Sequence, residues 1–374
     1  MAVKAGPNPP PAALLEYRGL PMRVIIAMDS FKGCLSSKEA GREAAKGVRE
    51  AWPEAEVEQT AVSDGGEGFV DAYHAAIGGE RVEVEVRDPL MRPIKACYLL
   101  QGTLAVVEMA QASGLTLLAE HERNPLRASS YGTGQLIAHA VRQGARHIIV
   151  GLGGSATSDA GQGMLRALID SFAPRGDWDD IKELRAVRFT MASDVRNPLC
   201  GPQGAAHVFG AQKGATAEMM EQLDARARRF AQEAAARFGF DRSQDEGAGA
   251  AGGLGYALLQ YLNAESRSGI DLLLEAAAFD RMAREADLII TGEGSADRQT
   301  LMGKLPMGIL HHAQGIPVCL IAGRVTDRNL LLQAGFTRVE CINPPGIPLA
   351  EAMHPEVARH HICQTVRDML RAGI

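Results

Sequence analysis

Short runs of consecutive apolar residues alternate with glycine-rich polar stretches along this chain, and that rhythm predicts an α/β protein. Arg23–Met28 is β-branched and apolar at successive positions, as a strand buried on both faces requires. Asp29-Ser30-Phe31-Lys32-Gly33 follows as a loop, and Ser36 with Glu39 has the spacing of a capping box that opens a helix. Ala40, Ala44, Val48 and Ala51 give that helix one apolar face. A second strand over Val57–Val62 runs into Ser63-Asp64-Gly65-Gly66-Glu67-Gly68, so the chain opens as β-loop-α-β-loop-α.

The same grammar returns near the C-terminus. Asp287–Thr291 reads as a strand followed by the loop Gly292–Asp297; Pro317–Ala322 and Arg338–Ile342 are two further strands, and Glu356–Ala372 is a closing helix. The middle differs. Arg81–Arg87 alternates as a half-exposed strand, and Ile94–Leu100 and Leu104–Met109 follow too closely for crossover helices, which predicts hairpin pairing. His147–Val150, Val187–Ala192 and a long helix that stops at Gly239 complete it. The economical architecture is a doubly wound parallel-sheet domain built from residues 22–80 and 283–374, with a mixed α/β domain over residues 81–282 inserted between its halves. Open parallel sheets bind ligands at the C-terminal ends of their strands, so the expected site is a cleft at that edge, between the domains.

Composition narrows the function. Lys plus Arg is 39 against 45 Asp plus Glu, a net charge of −6. That balance argues against a nucleic-acid-coating surface, which needs excess cations. Six dispersed cysteines form no CxxC or Cys/His cluster, so they read as reduced core thiols and give a zinc site no support. There is no signal-peptide h-region and no apolar run long enough to span a bilayer, which reads as a cytoplasmic protein with neither membrane nor nucleic-acid partner. Residues 1–21, with five prolines, read as a flexible extension, and Met22 is a candidate start.

Glycine, 41 residues, is concentrated in loops that follow strands. Ile148–Val150 runs into Gly151-Leu152-Gly153-Gly154-Ser155-Ala156-Thr157-Ser158-Asp159 and then a helix. Glycines let backbone N–H groups approach an anion, and a helix N-terminus adds a favourable dipole. The spacing is neither that of a Walker loop nor GxGxxG; a plain tight turn is the competing reading. Asp29 with Lys32, Asp64 with Glu67, Asp194 and Asp297 each place a carboxylate just past an apolar run. Each alone is as ordinary as a turn or a helix cap. Lys32, Lys213 and Lys304 supply complementary cations. Together these are the parts phosphoryl transfer uses, a reaction that depends on positioning and charge neutralisation.

The ordered set of blocks resembles the type I glycerate kinases, the bacterial glycerate 2-kinase group. It comprises DSFKG (29–33), DGGEG (64–68), NPLRASSYGTG (124–134), GLGGSATSDAGQGML (151–165) and SDVRNPLCGPQGA (193–205), followed by VFGAQKGA (208–215), AGAAGGLGYA (248–257), TGEGSAD (291–297) and GKLPMG (303–308). The resemblance spans nearly the whole chain from Met22. It implies a flavodoxin-like domain interrupted by a second α/β domain, and Mg²⁺-dependent transfer of the ATP γ-phosphate to D-glycerate, giving 2-phosphoglycerate. From their position on loops after strands, Gly153, Gly154, Ser155, Thr157 and Lys213 are expected to hold nucleotide phosphates, and Asp194 and Asp297 to be Mg²⁺ ligands. Asp29 or Asp64 is expected to take the hydroxyl proton, and Lys32 to hold the substrate carboxylate or the transferring group. The chain departs from the family pattern at Ser158 (commonly Asn), Ala160 (Gly), Ala211 (Pro) and Ser295-Ala296 (Arg-Ile), which opens the question of substrate preference. A kinase of another small hydroxy acid, a GHMP-type kinase and a non-catalytic sugar-acid-binding regulator are the alternatives, and homo-oligomerisation is left open.

Overall fold

The computed structural model describes residues 21–31, 33–63 and 65–374; Lys32, Asp64 and the extension up to Leu20 lie outside the described residues. In chain order the strands are β1 (Arg23–Met28), β2 (Glu56–Gln59), β3 (Glu80–Arg87), β4 (Pro93–Gln101), β5 (Leu104–Glu108), β6 (His147–Gly151), β7 (Arg188–Ala192), β8 (Glu265–Arg267), β9 (Leu288–Ala296), β10 (Val318–Val325) and β11 (Arg338–Cys341). The helices that matter below are α1 (Ser37–Ala51), α2 (Phe69–Ile77), α3 (Tyr131–Arg142), α4 (Gln162–Phe172), α5 (Ala217–Phe238), α6 (Ala250–Leu262) and α7 (Pro355–Arg371). The chain divides into two compact units. One is built from residues up to Val62 and from Leu274 onward, the other from Ser63–Leu273.

The first unit holds a parallel sheet of order β2-β1-β9-β10-β11. Numbered within the unit this is 2-1-3-4-5, the flavodoxin-like order, with its topological switch point between β1 and β9. The apolar runs explain the placement: Val24 to Met28 and Leu288 to Ile290 are all buried in the sheet interior. The capping box at α1 is present, with Ser36 Oγ accepting from the Glu39 amide and the Glu39 carboxylate accepting from the Ser36 amide at 3.0 Å. Strand β9 runs further than its apolar residues suggest. The Gly292–Ala296 stretch, expected as a loop, stays in the sheet because β10 pairs with it as far as Arg324↔Ser295 and Val325↔Ala296.

In the second unit the sheet order is β3-β4-β5-β6-β7-β8. The expected hairpins are there: β3, β4 and β5 pair antiparallel, and β5 through β8 are parallel. Helix α5 stops at Gly239, which has the left-handed φ of 77° that ends a helix without a Cβ penalty. Residues 63–80, expected in the first domain, fall in this unit. Helix α2 buries Phe69, Val70 and Tyr73, and its Val70 amide donates to Glu108 at the end of β5. All six cysteines are free thiols. Among the described residues no helix is long and apolar enough to cross a membrane.

Helices α1 and α7 meet in the first unit at Gly47, where an added Cβ would lie 2.5 Å from the Cys363 carbonyl oxygen and 2.9 Å from Val366 Cβ. Alanine's helix propensity favours Gly47→Ala by about 1 kcal/mol. Backbone at that distance must shift, however, and overpacking of this kind costs about 1–3 kcal/mol. Gly47→Ala is therefore expected to lower the melting temperature of the first unit, measured by calorimetry; a rise would show that the helices are not in such close contact.

Candidate active site

The glycine-serine loop of the second unit is fixed by hydrogen bonds on both sides. The Gly153 amide donates to Gly65 O at 3.0 Å, the Leu115 amide to Gly154 O at 2.8 Å, and the Ala156 amide to Ser113 O at 2.9 Å. Gly153 is needed for approach: a Cβ there would come 2.3 Å from Gly66 Cα. Its amide is committed to the protein, so its part in an anion cradle is steric. Gly154 is exposed with φ +74°. The amides of Gly154, Ser155, Thr157 and Ser158 have no protein acceptor among the described residues.

Beneath this loop lies Lys213, 2% exposed. Its Nζ donates to Ser155 Oγ and to the Thr157 carbonyl oxygen, both at 2.7 Å. Burial pulls the ammonium down to about 7, opposed by the charge of Asp159. The hydroxyls of Thr157 and Ser158 are buried without a hydrogen-bond partner among the described residues. The structure thus brings Ser155, Thr157 and Lys213 together.

The helix N-terminus behind the loop is already filled. Asp159 accepts from the amides of Gly161 (3.0 Å), Gly163 (3.1 Å) and Ser130 (2.8 Å) and from Ser130 Oγ, and Ser130 Oγ in turn accepts from the Met164 amide at 3.0 Å. The first turn of α4 therefore spends its free donors on a carboxylate and a hydroxyl of the protein itself. Any ligand is left with the loop amides and hydroxyls. Close by, Gly252 and Gly253 of α6 carry φ of +66° and +91°, and a Cβ on Gly252 would sit 1.9 Å from Thr157 O. The Ala-Gly stretch is there for close packing beneath the loop.

Two further strand ends of this unit carry acids. Asp194 follows β7 and is half-buried. Glu108 ends β5, is 1% exposed, and accepts from the Val70 amide at 3.3 Å, so it caps α2. Burial pushes Glu108 up to about 7 against the pull of amide hydrogen bonds from Val70 and Gly68. It closes the apolar run Leu104–Val107, the same strand-then-acid pattern that marks Asp29 and Asp194, and that pattern was the signal that could have found it.

In the first unit Asp29 sits at the switch point. Its amide donates to Gly292 O at 2.8 Å and its Oδ1 accepts from the Ser30 amide at 2.6 Å. Glu293 on adjacent β9 is 5% exposed; Oε1 accepts from Thr300 Oγ at 2.6 Å and Oε2 lies 3.8 Å from Lys304 Nζ. Burial raises Glu293 to about 7, and the nearby charges of Asp29 and Asp297 add to the rise. Asp297 holds the turn after β9, its Oδ1 accepting from the Gln299 amide at 2.7 Å. Asp29 and Asp297 are thus neighbours of one buried carboxyl, and Lys304 is its counter-charge. Asp194 and Asp297 belong to different units. Among the described residues no group of three or more His, Cys, Asp or Glu is arranged to hold a metal ion.

The glycerate kinase family model matches residues 24–177 and 175–373. A glycerate kinase of Bacillus subtilis strain 168 is 42% identical over 371 residues, covering 93% of this chain and 97% of that protein. A glycerate 2-kinase of Escherichia coli K12 is 38% identical over 328 residues, covering 82% and 86%. Among solved structures, one from Salmonella typhimurium LT2, described as a candidate glycerate kinase 2, superposes with a TM-score of 0.77 at 38% identity, covering 94% of this chain and 98% of that one.

The raised Glu108 carboxyl has a consequence for stability. In the unfolded chain it ionises at the ordinary value of 4.5, in the fold at about 7. Its contribution is fully present below the unfolded value and is lost as pH rises through the folded one. Between pH 5 and 8 the wild-type melting temperature should fall by a few degrees more than that of Glu108→Gln, which keeps the acceptor for Val70 but does not ionise. Parallel pH profiles for the two proteins would refute the assignment.

Proposed function

The chain belongs to the glycerate kinase family, and from that premise we propose that it transfers the γ-phosphate of ATP to D-glycerate and releases 2-phosphoglycerate. The observation that carries the nucleotide part of this reading is the Gly154–Ser158 turn. Among the described residues it holds amides without protein acceptors and two buried, unpartnered hydroxyls, with a buried ammonium bonded to Ser155. Donors held rigidly in place are what a transferring phosphoryl group needs, since its catalysis is positioning and charge stabilisation. The name of the Escherichia coli relative, a glycerate 2-kinase, supports phosphorylation at the 2-hydroxyl.

In this reading Gly154, Ser155 and Thr157 hold phosphate oxygens, Gly153 clears the space for them, and Lys213 supplies positive charge from beneath. Asp29 or Asp64 takes the proton of the glycerate hydroxyl, and Lys32 holds the substrate carboxylate or the transferring group. The placement of Asp29 at the switch point of a flavodoxin-like sheet supports a role at the reacting centre. Mg²⁺, when bound with the nucleotide, neutralises charge on the phosphates. It would use one or two protein carboxylates, with phosphate and water completing its ligand set. The donor set fits that habit, with Asp194 and Asp297 as separate candidate ligands, and among the described residues no group of carboxylates forms an all-protein cage.

The test is to incubate the purified protein with Mg-ATP and D-glycerate and identify the product by NMR. 2-Phosphoglycerate is expected; binding of glycerate without turnover would favour a regulator, and turnover of a different hydroxy acid alone would reassign the substrate. If one aspartate is the base, its Asn variant should lose kcat by roughly 10²- to 10⁴-fold with the fold intact. Near-wild-type turnover in both Asp29→Asn and Asp64→Asn would remove both from that role.

A further inference from the structure

An ammonium has three N–H donors and no lone pair. The 2.7 Å contact between Lys213 Nζ and Ser155 Oγ is therefore donated by the lysine, and the serine's own hydrogen must point away from Nζ. A second ammonium hydrogen pins the Thr157 carbonyl at 2.7 Å, which fixes the peptide on the far side of Ala156. Lys213 itself is 2% exposed and Ser155 9% exposed. The side chain is held there by its surroundings: it ends the short 3-10 turn Ala211–Lys213, and a Cβ on the next residue, Gly214 (φ +88°), would lie 2.7 Å from Arg123 O. Thr157 Oγ1, wholly buried and without a partner, lies on the same turn.

From this geometry we propose that Lys213 is a positioning residue that does not touch the nucleotide: it locks Ser155 as a hydroxyl donor to the terminal phosphate oxygens and holds the Ser155–Thr157 turn open for them. The proposal rests on the phosphate-holding role of this loop given above. It differs from a direct lysine–phosphate contact in one respect, because the lysine's hydrogen-bonding effect on nucleotide binding must pass through Ser155 and the Thr157 peptide it holds. Protonation of Lys213 is what forces the serine hydrogen outward. The neutral amine has a lone pair and can accept that hydrogen, which turns the donor inward. With the ammonium near 7, and Asp159 the charged group acting on it, the donor is present at pH 6 and lost as pH rises through neutrality.

The experiment measures the affinity for a non-hydrolysable ATP analogue with Mg²⁺ by calorimetry from pH 6 to 8. The proteins are wild type, Lys213→Met, Ser155→Ala and the double variant; the KM for D-glycerate is measured alongside. Loss of a hydrogen bond to a charged group predicts a roughly 10- to 100-fold weaker analogue affinity in each single variant at pH 6. The double variant should bind no more weakly than the worse single, the sign of two residues acting as one unit. The wild-type affinity should decline towards pH 8 more steeply than that of Ser155→Ala, which keeps the lysine charge but lacks the hydroxyl, while the glycerate KM stays within about twofold. Additive losses in the double variant would mean that Lys213 contacts the ligand directly and would overturn the proposal, as would a Ser155→Ala protein that keeps the wild-type affinity or pH dependence. Should Lys213→Met not fold, the Ser155→Ala profile decides alone. A wild type that binds the analogue but does not phosphorylate glycerate would refute the proposed substrate and leave this test standing; one that does not bind the analogue at all would overturn both.

Discussion

The pairing of β1 with β9 is the constraint on which the rest depends. Val24 aligns with Leu288 and Met28 with Gly292, so two strands more than two hundred residues apart lie side by side. Closing so long a loop costs entropy, although that cost grows only slowly with length. The compensation is local: the paired runs Val24–Met28 and Leu288–Ile290 are apolar and buried, and Thr291 Oγ adds a hydrogen bond to Ala27 O at 2.7 Å. This one pairing allows a complete second unit to stand between the halves of the first. It also creates the switch point, because β2 lies on one side of β1 and β9 on the other. Asp29 and Glu293 are neighbours only as a result of it.

Each strand end of interest then meets the same conflict. A parallel sheet buries its strands on both faces, so a charged residue at the edge loses water unless the protein replaces it. Lys213, Glu108 and Glu293 are all more than nine-tenths buried, and burial is the leading cause of each shift towards neutrality. Each retains a small, specific set of partners: a serine and a carbonyl for Lys213, helix amides for Glu108, a threonine and a distant lysine for Glu293. Groups poised near neutrality in this way are typical of sites that move charge.

What could be read along the chain was whatever is decided locally. The capping box at Ser36 and Glu39, the stop at Gly239 and the apolar strands follow from neighbours in sequence, and the structure has all of them. The Asp29 loop was legible for the same reason, as an acid just past an apolar run, whereas Asp297 was expected in a loop from Gly292 and follows a strand that reaches Ala296. What depends on distant partners was not. Helix α2 follows a strand of the first unit, yet its apolar face packs in the second. The glycines of β9 look like loop residues until β10 is placed beside them; a Cβ on Gly292 would come 2.5 Å from Ile321 O, so glycine there serves the sheet. Asp159 reads as one more loop acid, but it occupies the helix N-terminus that the glycine-serine pattern had offered to a phosphate. Glu293 was passed over because nothing in its own segment reveals how deeply it is buried; Glu108 carried the strand-then-acid signal, but its depth was equally hidden.

The departures from the family pattern can be weighed by the same physics. Alanine at 160, where glycine is common, has φ +54°, a left-handed conformation that costs an L-residue about 1 kcal/mol. It is tolerated because Ala160 is fully buried against Gly253 and its amide donates to Gly252 O at 3.0 Å. Serine at 158 has a hydroxyl with no partner, where a longer side chain would reach further. Serine at 295 removes a guanidinium from β9, but the register sets Ser295 beside Arg324 of β10, and both residues are exposed. A cation therefore still stands at this end of the first unit's sheet, carried by the neighbouring strand. Parallel pairing makes the two positions equivalent in height along the sheet, so a guanidinium stands a single strand spacing from Ser295, about 4.8 Å. The electrostatic character of this edge is set by the sheet, and the sequence of β9 taken alone misstates it.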